Sequence, residues 1–140
     1  THSISNLFEA VKLIKSQLIV HQMSEVYRGP SEDVSKTDKE FFNLALSCSN
    51  ERSFDSIKHE LSLIEQLQLH QNKKIVDIDL LIQLHQHSLL YISPKVTRFC
   101  HCLITLKDIC PDLKISENKL VQDYFYSNKN KQEFTSVTLS

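Results

Sequence analysis

The stretch RFCHCLITLKDIC, residues 98–110, gathers the residue types that do metal and thiol chemistry. It holds Cys100, His101, Cys102 and Cys110, with His85 and His87 just upstream. Zinc sites take their ligands from Cys-x-x-Cys turns or from His pairs four apart on a helix. Cys-His-Cys has neither spacing. A helical residue advances about 100°, so Cys100 and Cys102 point roughly 160° apart and do not reach one ion. His85 and His87 are separated in the same way. One His and one Cys from facing helices is the metal arrangement left open. A nucleophilic cysteine needs a His partner and, as a rule, a Gly-bearing loop for an oxyanion hole. Gly29 is the single glycine, and it lies in the mixed-charge stretch RGPSEDVSK. The opening stretch therefore reads as packing, with reduced thiols acting as small hydrophobes beside an apolar stripe. Asp77 and Asp79 invite carboxylate catalysis or a metal. Asp77 reads better as a helix cap, and Asp79 as a charge that suits the first-turn dipole. No phosphate loop, dinucleotide fingerprint or metalloprotease box is present. The expectation is a non-enzymatic chain with no metal and no cofactor.

The elements that would carry these residues read as helices. Composition is 41% hydrophobic and 24% charged over 140 residues, enough for one domain with a core. One Gly and three Pro are few for a protein built on tight turns, which argues for helices on short polar connections. Leu7, Val11, Ile14 and Leu18 predict a helix over 6–27. Thr37 and Glu40 form a capping box that opens a short helix to about Cys48. Ser53 caps a helix carrying Phe54, Ile57, Leu61 and Ile64. Asp77 caps another, with Ile78, Leu81, Ile82, His85 and Leu89 on one side. Ser93-Pro94 starts the next, which Pro111 stops. Ser116 opens the last, with Leu120, Val121, Tyr124 and Phe125. The expected fold is all-α: a single compact bundle of about six helices over residues 1–127, followed by a flexible polar tail, 128–140.

A chain of this kind, without a catalytic constellation, is expected to recognise other proteins. Leu113 and Ile115 fall between a Pro stop and a Ser cap, where a connection normally shows polar residues. They anchor the loop in the core or hook a partner, and the second is the expectation. Residues 53–127 resemble the integrase-binding domain of the hepatoma-derived-growth-factor-related chromatin proteins, itself similar to the N-terminal helical domains of transcription elongation factors. The similar pieces are SFDSIKHEL, DIDLLIQLHQHSLLYIS, LITLKDI and LKIS. The resemblance implies a helical fold in which Leu113 and Ile115 hook a linear acidic and aromatic peptide. It implies a second partner loop at NKKIVDID, with Ile75 and Asp77 as equivalents. The family's basic run before the apolar pair is replaced by Cys110-Pro111-Asp112, and the first fifty residues have no counterpart.

The leading functional expectation is a protein–protein interaction module, part of a larger protein, that docks a partner helix or linear peptide. A scaffold or oligomerisation segment is the alternative, separable by mass in solution. A net charge of −1 argues against the third class, a nucleic-acid binder using HQNKK and the C-terminal lysines. No apolar run is long enough to span a bilayer, and no signal-peptide pattern is visible. A chain that starts at Thr1 and keeps reduced cysteines fits an intracellular setting, cytoplasm or nucleus, and a piece processed or cut from something longer.

Overall fold

The computed structural model describes residues 2–30, 40–70 and 76–137. Among them the all-α helical bundle is overturned: five helices share the chain with nine short strands in four small sheets. The fold is mixed α/β.

Helix α1 (His2–Gln17) follows the predicted stripe, with Leu7, Ala10, Val11 and Ile14 buried. It stops before Ile19 and Val20, whose branched Cβ atoms suit a pleated strand. These begin β1 (Ile19–Met23), where a continued helix was expected. After β2 (Tyr27–Pro30) come β3 (Glu40–Asn43) and β4 (Leu46–Ser49), which replace the short helix expected to reach Cys48. Thr37 of the expected capping box lies outside the described residues, and Glu40 is already in a strand. β1 pairs antiparallel with β4, Ile19 opposite Ser49 and Met23 opposite Leu46. β2 is the middle strand of a three-stranded sheet, between β3 and the late β9 (Thr135–Ser136).

Helix α2 (Phe54–His70) forms where its pattern put it, and Ser53 Oγ accepts the Ser56 N–H at 3.2 Å. Its buried Ile57, Leu61 and Ile64 close on Ile14 of α1 and on Leu18 just after it as one apolar cluster. The helix expected from Asp77 is absent. Residues 76–80 belong to no helix or strand but show the alternating burial of an extended segment, and an antiparallel hairpin follows, β5 (Ile82–His85) and β6 (Ser88–Ile92). Its two-residue turn holds Gln86 at φ 49° and His87 at φ 67°.

The helix predicted from Pro94 divides into α3 (Lys95–Arg98) and α4 (Cys100–Ile109). Six of the ten residues of α4 are buried, from Cys100 to Leu106, so the helix is enclosed on nearly every side. This accounts for Cys-His-Cys. Cys100 and Cys102 point apart, and both directions lead into the interior, at 5% and 3% exposure. Thr105, buried about one turn further along α4, donates its hydroxyl to the carbonyls of His101 and Cys102, both at 3.0 Å. β7 (Lys114–Ser116) and β8 (Lys119–Leu120) form a small hairpin where a loop and a helix start were expected, and α5 (Val121–Ser127) follows. The segments that carry the resemblance to the integrase-binding domain thus include two hairpins, and the helical fold that it implies is not the fold observed.

A second apolar cluster surrounds α4, with Leu103, Val96 and Val121 at 0% exposure. Tyr27 joins it from β2. The Tyr27 hydroxyl donates to Asp108 Oδ2 at 2.7 Å and accepts from Lys107 Nζ at 3.2 Å, which ties the sheet to α4. Burial first, then the Asp108 hydrogen bond and charge, raise the Tyr27 hydroxyl far above the ordinary tyrosine range. The polar segment after α5 is drawn back onto the body rather than left as a tail as far as residue 137. A 3₁₀ turn (Lys131–Glu133) leads to β9, and Phe134 packs on the α4 cluster. The Phe134 ring lies directly on the Cα of Gly29, where any Cβ would collide with it.

Three outcomes follow for stability. Ile115 is 8% exposed in the α4 cluster, and Leu113 is half-buried against it. Ile115→Ser is expected to cost about 2–4 kcal/mol in urea denaturation, the cost of a lost core side chain plus a buried hydroxyl. Gly29→Ala should lower the melting temperature by expelling the Phe134 ring, and most of that loss should vanish in a Phe134→Ala background. Burial, helped by the nearby Glu133 carboxylate, pushes the Cys100 thiol from 9.0 up to about 11. The folded chain keeps this proton at pH values where the unfolded chain has released it. Stability under reducing conditions should therefore be level below about pH 8 and fall as pH rises from about 9 to 11, and Cys100→Ala should flatten the decline.

Candidate functional site

Two residues of α2 determine how the 76–80 segment lies. Glu65 and Gln68 are three apart, so both project from one helix face. Glu65 Oε1 accepts the Ile78 N–H at 2.7 Å, and Gln68 Oε1 accepts the Val76 N–H at 3.4 Å. The Gln68 amide also donates to the Asn6 carbonyl of α1 at 3.1 Å, and this side chain is fully buried at 0% exposure. In an extended chain the N–H groups of alternate residues point the same way. Two side-chain acceptors on a helix therefore take the part of a neighbouring strand. Burial along 76–80 alternates accordingly: Val76, Ile78 and Leu80 are half-buried, while Asp77 and Asp79 are exposed. Ile78 and Leu80 pack on the α1–α2 cluster. Asp77 and Asp79, the exposed residues of this alternation, lie on the other face.

Two cavities meet at this segment. The larger, about 730 Å³, runs between α1, β4, residues 76–85 and the C-terminal end of α4. Its lining is mainly apolar, including Leu7, Val11, Leu46 and Leu106, with Asp77, Asp79, Arg52 and His85 among its polar groups. Cys48 and Cys110 also line it, and burial raises both thiols above their ordinary range, which keeps them protonated and weakly nucleophilic. The smaller, about 390 Å³, is polar. Lys58 and Lys95 bring positive charge to it, and Ser62, Ser93 and Tyr91 bring hydroxyls. Leu61, Ile78, Asp79 and Leu80 belong to both walls. Lys95 Nζ lies 3.2 Å from Asp79 Oδ2. Tyr91 is held edge-on against Phe54, ring centres 4.7 Å apart.

The residues singled out from sequence are dispersed. Asp77 is on the exposed face of the 76–80 segment and caps no helix. Ile75 lies outside the described residues. Leu113 reaches the rim of the larger cavity, whereas Ile115 points into the α4 cluster, which favours the loop-anchoring alternative. Among the described residues no three His, Cys, Asp or Glu side chains form a metal-binding group. Sequence reasoning missed Glu65, Gln68, Lys58 and Lys95 and misread Asp79. The available signal was the strict alternation Val76-Asp77-Ile78-Asp79-Leu80, which has the period of a half-buried strand. No helix among the described residues is long and apolar enough to cross a membrane. In comparison with known proteins, the chain matches no family model, and no curated protein is significantly similar to it.

Proposed function

We propose that the chain binds a phosphorylated small molecule together with a divalent cation, at the junction of the two cavities. The carrying observation is that junction: an apolar cleft and a lysine-bearing polar cavity share a wall that presents Asp79, and Asp77 lines the cleft beside it. The cleft has the size and lining of small-molecule sites, which are mostly apolar with a few convergent polar groups. Lys58, Lys95 and the three hydroxyls suit phosphate oxygens, since ammonium groups and O–H donors make strong bonds to them. Mg²⁺ is held by one or two protein carboxylates and fills its shell with water and phosphate oxygens, so it needs no all-protein cage. Asp77 and Asp79, exposed at alternate positions of the 76–80 segment, meet that demand.

A second reading keeps the docking of a protein or linear peptide. It is favoured by the exposed leucines of the β5–β6 hairpin, Leu84, Leu89 and Leu90, of which Leu84 and Leu90 border the same cleft.

Calorimetric titration with inorganic triphosphate distinguishes the two. The first reading expects binding that requires Mg²⁺ and is lost in Asp77→Asn/Asp79→Asn, whose melting temperature stays near that of the parent because both side chains are exposed. Binding that is indifferent to Mg²⁺, or no binding at all, would remove this reading and leave the peptide groove.

A further inference from the structure

We propose that Ser49 and His21 are a nucleophile and its general base, and that the chain cleaves small carboxylic esters whose acyl group lies in the 730 Å³ cleft. The inference goes beyond the cation–phosphate reading and does not depend on it. His21 Nε2 and Ser49 Oγ are 2.6 Å apart, although 28 residues separate them in the chain. A nucleophilic serine is recognised by this geometry, a ring nitrogen within hydrogen-bond reach of its hydroxyl. Strand pairing creates the contact. Ile19 of β1 lies opposite Ser49 of β4, Val20 opposite Cys48 and Gln22 opposite Ser47, so His21 is the extra residue of a β-bulge. Bulges re-aim a side chain out of the regular alternation and are over-represented next to active sites. Here the ring meets the hydroxyl.

Ser49 is both exposed and part of the cleft's lining, which puts it at the rim. The apolar wall behind it, with Leu46 and Ile57, suits an aliphatic acyl group. Arg52 belongs to the same lining, and its guanidinium is held by Ser56 Oγ at 3.2 Å and Glu60 Oε2 at 3.5 Å. It brings positive charge to the wall on which a tetrahedral oxyanion develops. With the ring proton on Nδ1, the Ser49 hydroxyl donates to Nε2. Oγ attacks the ester's carbonyl carbon, and its proton passes to Nε2. The oxyanion collapses, the C–O bond to the alcohol breaks, and the alcohol leaves with that proton. Water, deprotonated by the same nitrogen, then releases the acyl group as the carboxylic acid, and Oγ regains a proton.

The test uses the whole chain, with p-nitrophenyl butyrate as substrate and a fluorophosphonate, which labels activated serines, as covalent probe. The parent should hydrolyse the ester and carry one phosphonyl group, mapped to Ser49 by peptide mass. Ser49→Ala should lose both. His21→Ala should lower hydrolysis and labelling about 100-fold, and free imidazole should return part of the rate. Both variants should melt with the parent, because both side chains are exposed. Hydrolysis that persists in Ser49→Ala, an adduct on another residue, or a His21→Ala variant as fast as the parent would reduce the hydrogen bond to a link between strands and overturn the proposal. A parent that neither hydrolyses the ester nor takes the label overturns it as well, and leaves the cation–phosphate reading untouched.

Discussion

The hydrogen bonds from Val76 and Ile78 to the side chains of Gln68 and Glu65 are the constraint on which the centre of the molecule depends. An extended segment laid along a helix has backbone groups that need partners, and leaving a buried N–H unpaired costs about 1–3 kcal/mol. Here the helix supplies the partners from its side chains. Because Gln68 also bonds to Asn6, one buried amide joins α1, α2 and the segment. The apolar contacts of Ile78 and Leu80 then follow from the strand period, and so does the outward direction of both carboxylates. Cavity walls, charge placement and the Lys95 contact all descend from that register. A one-residue slip would turn the aspartates inward and the aliphatic residues outward.

Around this centre the two apolar clusters do different work. The α1–α2 cluster is built from two amphipathic helices and supports the floor of the cleft. The α4 cluster is built round an enclosed helix and is closed by elements far apart in the sequence: β2, the 114–120 hairpin, α5 and Phe134. Its polar contacts are few and fully used. The Tyr27 hydroxyl, Asp108 and Lys107 bond to one another, and Asp108 also accepts the Glu25 N–H at 3.1 Å. Lys107 further lies over the Phe125 ring, 5.1 Å from its centre.

The sequence made the amphipathic helices readable and hid the strands. The stripes of α1 and α2 run for several turns, and Ser53 carries its capping chemistry in its residue type. The strands are two to five residues long, and a short apolar run has no period that separates strand from helix. The scarcity of glycine pointed to helices, yet the β5–β6 hairpin turns through Gln86 and His87 at positive φ, so the usual turn residues are absent from a turn that exists. Of the candidate site, Asp77 was visible and its role was not, because a cap and a strand carboxylate look alike until the backbone is known. Lys95 and Gln68 acquire their roles only through contacts 16 and 62 residues distant.

The ring of Phe134 on the backbone of Gly29 has a consequence for the order in which the protein is made. On the ribosome, α1 and α2 can associate as soon as residue 70 is clear of the exit tunnel. The sheet around β2 has no such freedom, because its last strand and the ring that covers Gly29 come from residues 134–136, long after β2 in the chain. Until they arrive, the side of the core that holds Cys100 faces water. Synthesis therefore leaves one half of the molecule waiting on the other, and that interval is when a nascent chain with exposed thiols and apolar surface depends most on chaperones.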